Sequence, residues 1–145
     1  EELIGREVEE SRLLTEVAIM ADRCAIDEEL SRLASHVAQF EAIVPQWESW
    51  LENLLVNHMY FVQFPFQDRP VPIWDEYLSL CAVYALLRCL LVGCLAQEGD
   101  PVRAVDVASA AFRLVDHTSF DLYAAPLLRE IGCGDWAHIR LLLSL

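Results

Sequence analysis

The stretch from Leu78 to Ala96 constrains this chain most, because it is almost entirely apolar and Arg88, near its centre, is its single charged residue. About twenty apolar residues can cross a bilayer as a helix. A central arginine costs about 2.5–3.5 kcal/mol on insertion scales, however, and no cluster of basic residues flanks either end. The segment therefore predicts a buried core helix and no membrane span. Its amphipathic neighbours predict a helical bundle wrapped around it.

Helical periodicity covers almost the whole chain, and no alternating strand pattern, repeat or low-complexity linker interrupts it. Prolines between Gln63 and Pro72 forbid helix there and predict an extended turn. The predicted helices, in order, are about Glu2–Cys24, one capped by Asp27, one opening at Pro45, a central helix from about Ile73 to Gln97, one capped by Asp100, one from Thr118 or Ser119 to Gly132, and a last one capped by Asp135.

Apolar residues at helical spacing predict which face of each helix is buried. In the helix that opens at Pro45 this stripe is Trp47, Trp50, Leu51, Leu54, Leu55 and His58. In the helix capped by Asp100 it is Val102, Val105, Ala108, Phe112 and Val115. Pro126 falls inside the next helix, where a kink or a late start is expected. The fold class predicted is all-α, a single domain over residues 1–145, built as an irregular, orthogonal bundle around the central helix.

Acidic residues outnumber basic ones by 23 to 10, which gives a formal net charge of −13 at pH 7. This balance excludes a nucleic-acid partner, because binding to a phosphate backbone requires clustered cations. The acidic residues crowd the first third of the chain. A solvated helical face explains this most simply, and a docking surface for a lysine-bearing protein is the alternative. The chain itself contains no lysine.

The cysteines do not predict a metal site. Metal ligands usually come in pairs two to four residues apart, and no such pair occurs among Cys24, Cys81, Cys89, Cys94 and Cys133. We interpret all of them as small buried hydrophobes in a reducing compartment. The acidic, amphipathic start does not have the basic-then-apolar pattern of a signal peptide. A cytoplasmic location is therefore expected.

An ordered set of pieces follows the first third of the chain. An aromatic helix end, Asn57 to Phe61, leads into a Phe-Pro-Phe turn at Phe64 to Phe66. The later pieces are Tyr84 to Arg88 in the central helix, the Asp116-His117 pair and the apolar run Trp136 to Leu143. This order resembles the C-terminal part of the flagellin lysine-N-methylase family. The resemblance covers about Trp50 to Leu145, whereas Glu1 to Ser49 is similar only in being helical and acidic.

The resemblance implies an enzyme that transfers methyl groups from S-adenosylmethionine to lysine side chains of flagellin, its partner. It also implies a cysteine cluster for a metal or iron-sulfur centre upstream of Glu1. The present chain would then be a C-terminal fragment, inactive alone, that serves substrate docking or structural support. Its glycines are scattered, with no glycine-rich turn after a strand. We therefore expect the missing part to hold most of the cofactor.

Two groups of residues are candidates for a site. The first group is a stripe of side chains with polar ends on one face of the central helix: Tyr77, Cys81, Tyr84 and Arg88. They are four, three and four residues apart, so their directions around the helix axis differ by at most about 60 degrees. A buried guanidinium requires a partner, and Asp116 and Asp106 are the candidates. The alternative is a ligand-facing cation between two phenols, suited to a carboxylate such as that of the cofactor.

Asn57 and His58 form the second group. The simplest interpretation is that Asn57 caps the local backbone and that His58 is a hydrogen-bonded core residue. The alternative is that His58 acts as a base. His117 beside Asp116 is not expected to be an oriented base, because sequence neighbours on a helix point to different sides. A second function also stays open, an all-helical ligand-sensing or dimerising module of a bacterial regulator. A basic helix-turn-helix upstream of Glu1 would favour it, and a cysteine cluster there would favour the methylase.

Overall fold

The computed structural model describes residues 27–67 and 70–144. The predicted helix Glu2–Cys24 therefore lies outside the described residues. The chain divides after Val37 into two units, Glu1–Val37 and Ala38–Leu145. The described residues of the first unit, 27–37, are helical. The expectation of a single domain stays a prediction.

Helices dominate the described residues. Residues 27–43 are helical and are called α1; the helices that follow are α2 (Trp47–Phe61), α3 (Ile73–Glu98), α4 (Arg103–Thr118), α5 (Phe120–Glu130) and α6 (Trp136–Leu143). No strand occurs in residues 27–67 or 70–144. The all-α prediction is confirmed. Between α2 and α3, residues 62–67 and 70–72 form turns and irregular chain without helix, as the prolines predicted.

The long helix α3 is the centre of the second unit, because it contacts α2, α4, α5 and α6. Its most deeply buried side chains include Leu78, Leu87, Leu91 and Leu95. Burial of each such leucine contributes about 1.5–3 kcal/mol. By length and composition Ile73–Ala96 is also a candidate membrane span, with a mean hydropathy of 2.2. Its packing against four helices favours the core reading instead.

The N-terminal half of α3 packs against α5 and α6. Leu78 and Cys81 of α3, Ala125 of α5 and Ile139 of α6 form one buried cluster. Small residues such as Ala125 let two helix backbones approach closely, so that α3 and α5 make the most extensive helix contact of the unit. Pro126 lies inside α5, which already begins at Phe120. The late start expected from this proline is therefore wrong.

Two helix ends follow the residues predicted to cap them, and the start of α4 does not. Gly99 ends α3 in the left-handed conformation, at φ 69°, which glycine adopts without a steric penalty. The side chain of Asp135 caps α6 by accepting bonds from the backbone N–H groups of Ala137 and His138. Asp100 Oδ1 accepts a bond from the N–H of Val102 over 2.9 Å. This bond holds a turn ahead of α4 rather than the first turn of the helix itself.

The buried face of α4 agrees only in part with the predicted one, since Ala108 and Val115 are buried as predicted and the two N-terminal valines are not. Val102 and Val105 are 70% and 57% exposed. The face that meets the core consists of Ala104, Ala108, Ala111 and Val115. Val102 precedes the helix, and Val105 lies about 100 degrees around the axis from Ala104. Alanines therefore form most of the contact face, and the side chains of Val102 and Val105 point to solvent.

The interpretation of all cysteines as buried is also wrong. Cys81 is buried in the α3–α5–α6 cluster and Cys133 is partly exposed, but Cys89 and Cys94 are exposed. Both exposed cysteines lie in the second half of α3. Cys24 lies outside the described residues.

Candidate functional site

The predicted stripe on α3 is divided between two environments. Tyr77 and Arg88 lie on one side of the helix, but eleven residues at 1.5 Å each separate them by about 16 Å along its axis. Tyr77 meets α6, and Arg88 meets the segment that contains Glu41 and Trp47. Tyr84 lies one turn before Arg88 and is partly buried. These residues therefore do not converge on one ligand.

Tyr77 belongs to an aromatic cluster. Its ring stacks on Trp136 of α6, with centroids 6.2 Å apart and planes inclined by 28°. Trp74 completes the cluster, with its ring 5.5 Å from that of Tyr77, and its indole donates a hydrogen bond to the carbonyl of Gly134 over 3.2 Å. Burial raises the pKa of Tyr77, and a side-chain hydrogen bond with Cys81 raises it further. The phenol therefore stays protonated and holds α3 against α6.

Arg88 is 5% exposed. Its Nη2 donates a hydrogen bond to Glu41 Oε1 over 3.2 Å, and its guanidinium carbon lies 4.0 Å from the centroid of the Trp47 ring. The expected partners, Asp116 and Asp106, were wrong. Asp106 pairs instead with Arg103 of its own helix. The guanidinium joins helices, and its burial does not fit the cofactor carboxylate considered from the sequence.

His58 and Asn57 lie on the side of α2 that faces α4. His58 is 6% exposed, and its ring lies 5.4 Å from that of Phe112. Asn57 is exposed and shares with His58 the wall of a cavity of about 320 Å³ that also includes Phe112 and Asp116. Burial lowers the pKa of His58, while the charges of Asp116 and Asp121 oppose that shift. The imidazole is therefore held in its neutral form at neutral pH.

A surface rich in aromatic residues lies at the end of α2 and in the turn after it. Tyr60, Phe61 and Phe66 are 81%, 71% and 84% exposed. Beside them is a cavity of about 530 Å³, whose lining includes Met59 and Phe64. We call Tyr60, Phe61 and Phe66 the aromatic surface. Exposed apolar groups on this scale are typical of sites that bind a partner.

Sequence reasoning missed Glu76. This residue lies in the first turn of α3, is 7% exposed, and lines a cavity of about 250 Å³ between α3, α5 and the proline-rich turn. A signal was present, because Glu76 precedes Ser79 and Val83 by three and seven residues. This spacing places the carboxylate on the buried face of the helix.

The described part of the chain shows no metal site. In residues 27–67 and 70–144, no group of three or more His, Cys, Asp or Glu side chains could hold a metal ion. The five predicted site residues, Asn57, His58, Tyr77, Tyr84 and Arg88, thus occupy separate parts of the second unit, and their part in any reaction stays a prediction.

The family comparison covers nearly the whole chain. The model of the FliB lysine N-methylase C-terminal domain matches residues 4–142. The chain belongs to this family. The match extends well upstream of Trp50, where the motif resemblance began, so the acidic first third is also part of the family domain. No solved structure matches the chain.

Proposed function

We propose that this chain is the C-terminal domain of an enzyme that methylates lysine side chains of flagellin with S-adenosylmethionine as methyl donor. The observation that supports this proposal is the match to the FliB lysine N-methylase C-terminal domain over residues 4–142. The same match leaves the regulator alternative without support. We place the enzyme in the cytoplasm, where flagellin and the donor are both available.

We propose further that this domain docks flagellin. The aromatic surface supports this role, since Tyr60, Phe61 and Phe66 are more than two-thirds exposed and lie beside a cavity of about 530 Å³. Aromatic anchors of this kind carry much of the binding energy at protein interfaces. The acidic chain, with a net charge of −13, also attracts a lysine-bearing partner at long range.

The donor is expected to be bound mainly by other parts of the enzyme. Arg88 is buried and pairs with Glu41 and Trp47, and Tyr77 packs against Trp74 and Trp136. These contacts engage both side chains within the domain and favour a structural role for them. In this proposal the residues described here hold and orient the substrate protein, and the chain alone is inactive.

A methylation assay with the full-length enzyme tests the proposal. Purified flagellin is incubated with labelled S-adenosylmethionine, and label is mapped to lysine. In the variant Phe66→Ala we expect the KM for flagellin to rise about tenfold or more, because an interface anchor is worth about 2 kcal/mol, with kcat unchanged. Leu141→Ala is the matched control, since Leu141 is 68% exposed on α6.

The outcomes separate the two parts of the proposal. No label on flagellin lysines with the unaltered enzyme would overturn the methylase reading. Normal labelling together with an unchanged KM in Phe66→Ala, Tyr60→Ala and their combination would keep the methylase and reject docking at the aromatic surface.

A further inference from the structure

The cavity beside Glu76 is lined by two kinds of residue. Val71 and Pro72 of the proline-rich turn and Ala125 of α5 give it apolar walls, and Asp75, Glu76 and Asp121 give it acidic ones. Its volume is about 250 Å³, several times the ~30 Å³ that one molecule occupies in liquid water. The cavity therefore admits a side chain rather than a single water molecule.

One carboxylate oxygen of Glu76 is unsatisfied within the described part of the chain. Glu76 is more than nine-tenths buried, and its Oε2 has no hydrogen-bond partner among residues 27–67 and 70–144. A buried carboxylate oxygen without a donor is strongly disfavoured, so native proteins supply a partner or use the site for a ligand. This oxygen is the observation on which the inference rests.

Two polar groups near Glu76 are already engaged. Arg129 of α5 forms hydrogen bonds to both carboxylate oxygens of Asp75, one of them over 2.8 Å. Ser79, one turn after Glu76 on α3, donates its hydroxyl to the carbonyl oxygen of Asp121 over 2.7 Å. Arg129 therefore compensates the charge of Asp75, and the Ser79 proton is directed to α5. Neither group donates a hydrogen bond to Oε2 of Glu76.

We propose that this cavity binds a primary ammonium group carried on an unbranched alkyl stem. An ammonium supplies three N–H donors in a compact cation, which matches a carboxylate oxygen that lacks a donor. The methylene stem matches the walls formed by Val71, Pro72 and Ala125, because such stems readily cover apolar surface. We call this the Glu76 site.

The lining of the Glu76 site also predicts which ammonium it prefers. No aromatic ring is among its described lining residues, so it lacks the cage that favours quaternary ammonium groups. A trimethylated amine has no N–H to donate to Glu76. The site should therefore bind an unmodified amine more tightly than a trimethylated one.

Two sources could supply this group, a lysine of a partner protein and a free alkyl diamine. Identifying it with a substrate lysine rests on the proposed function, whereas the ammonium chemistry does not. Because the chain has no lysine of its own, any lysine amine at the site comes from outside it.

Binding is tested by calorimetry with the purified protein and Nα-acetyl-lysine methylamide as probe. The norleucine analogue has the same stem length without the ammonium, and the trimethyl-lysine analogue lacks the donors. We expect only the lysine probe to bind measurably at millimolar concentration. In Glu76→Gln its affinity should fall about tenfold or more, since hydrogen bonds to charged groups are worth over 1.4 kcal/mol. Glu52→Gln, on the exposed side of α2, should not change it.

Carbodiimide coupling gives a positional readout. An amide between Glu76 and the probe amine, mapped by mass spectrometry and absent from the Glu76→Gln protein, supports the site. No binding of the lysine probe, or binding that Glu76→Gln leaves unchanged, would overturn the proposal. Equal binding of the norleucine analogue would do the same, because it would show an apolar pocket without ammonium recognition.

Measuring the Tm of the variants distinguishes ligand binding by Glu76 from a purely structural role. Replacing an unsatisfied carboxylate with a neutral amide should leave the Tm unchanged or raise it. Arg69→Gln is the control for an ion pair between Glu76 and a cation of this same chain, because Arg69 lies between Gln67 and Pro70 in the sequence. Equal losses of Tm in Glu76→Gln and Arg69→Gln, without probe binding, would show an internal ion pair and overturn the proposal.

The two proposals fail separately. Probe binding that depends on Glu76, in an enzyme that leaves flagellin unlabelled, would keep the Glu76 site and reject the methylase. For a lysine source, Glu76→Gln should raise the KM for flagellin as well as weaken the probe. If cadaverine binds tightly and the KM is unchanged, the free diamine is the source and the ammonium site stands.

Discussion

Arg88 donates a hydrogen bond from Nη2 to Oε1 of Glu41 over 3.2 Å, and this pair links the core helix α3 to the end of α1. The partners differ in environment, since the Arg88 side chain is 6% exposed and that of Glu41 is 40% exposed. The ring of Trp47 lies against the guanidinium. A buried cation therefore depends on a carboxylate at the surface of the unit.

Glu41→Ala is expected to destabilise the protein by about 1–3 kcal/mol, because it removes an acceptor from a buried charged donor. Arg88→Met keeps an apolar stem of similar length and removes the charge. In the background of Arg88→Met, Glu41→Ala should therefore cost almost nothing. Chemical denaturation of the two single variants and the double variant gives this coupling. Independent, additive losses would show that the pair contributes no net stability.

The identity of this partner marks the limit of sequence reasoning. Burial of Arg88 among apolar neighbours on α3 correctly required a partner, since a lone buried guanidinium is too costly. Its partner, Glu41, is distant in sequence, and no periodicity specifies how two distant helices are placed against each other. The aspartates chosen from the sequence, Asp106 and Asp116, both lie on α4 and are exposed.

The sequence predicted where helices end better than it predicted which face of each helix is buried. The cap at Asp135 and the stop at Gly99 depend on one or two residues, and both were predicted correctly. The buried face of α4 was predicted only in part, because three of its four residues are alanines, which carry little hydrophobic signal. Glu76 was missed for a related reason. The helix dipole favours an acidic residue in the first turn of any helix, so the position of Glu76 in the sequence did not indicate that it is buried.

His58 should make stability depend on pH. Burial lowers its pKa below the usual 6.5, so at pH values between the two pKa values the unfolded state binds more protons than the folded state. Stability is then complete above about pH 6.5 and falls as pH decreases through the lowered folded pKa. Urea denaturation from about pH 7.5 to pH 5 should show this loss.

Two variants isolate the histidine responsible. His58→Gln should flatten the pH dependence in this range, whereas His117→Gln should retain it because His117 is exposed on α4. A dependence that survives in His58→Gln would assign the effect to another group.

The cysteines should react at different rates. Cys89 and Cys94 are exposed, whereas Cys81 is buried and burial raises the pKa of its thiol. The thiolate is the reactive form, so iodoacetamide should label the two exposed cysteines first and Cys81 only after urea is added. Peptide mapping after timed labelling measures the order. Labelling of Cys81 in the native protein as fast as Cys89 would contradict the packing of α3 against α5 and α6.

Asp135 should stabilise α6 in a way that acid removes. Its Oδ1 accepts hydrogen bonds from the N–H groups of Ala137 over 2.8 Å and His138 over 3.1 Å, and these bonds contribute to a pKa below the usual 3.8. The stabilisation is therefore present above about pH 4 and is lost as pH falls through the lower folded pKa. Asp135→Ala should lower the Tm at pH 7 by about 2–4 °C.

Asp135→Asn is the sharper variant, because asparagine caps about as well as aspartate but does not titrate. It should keep the Tm near its original value at pH 7 and lose part of the decline below pH 4. A Tm at pH 7 as low in Asp135→Asn as in Asp135→Ala would show that the carboxylate acts through its charge, for example on the ring of His138 at 2.5 Å, and not as a cap.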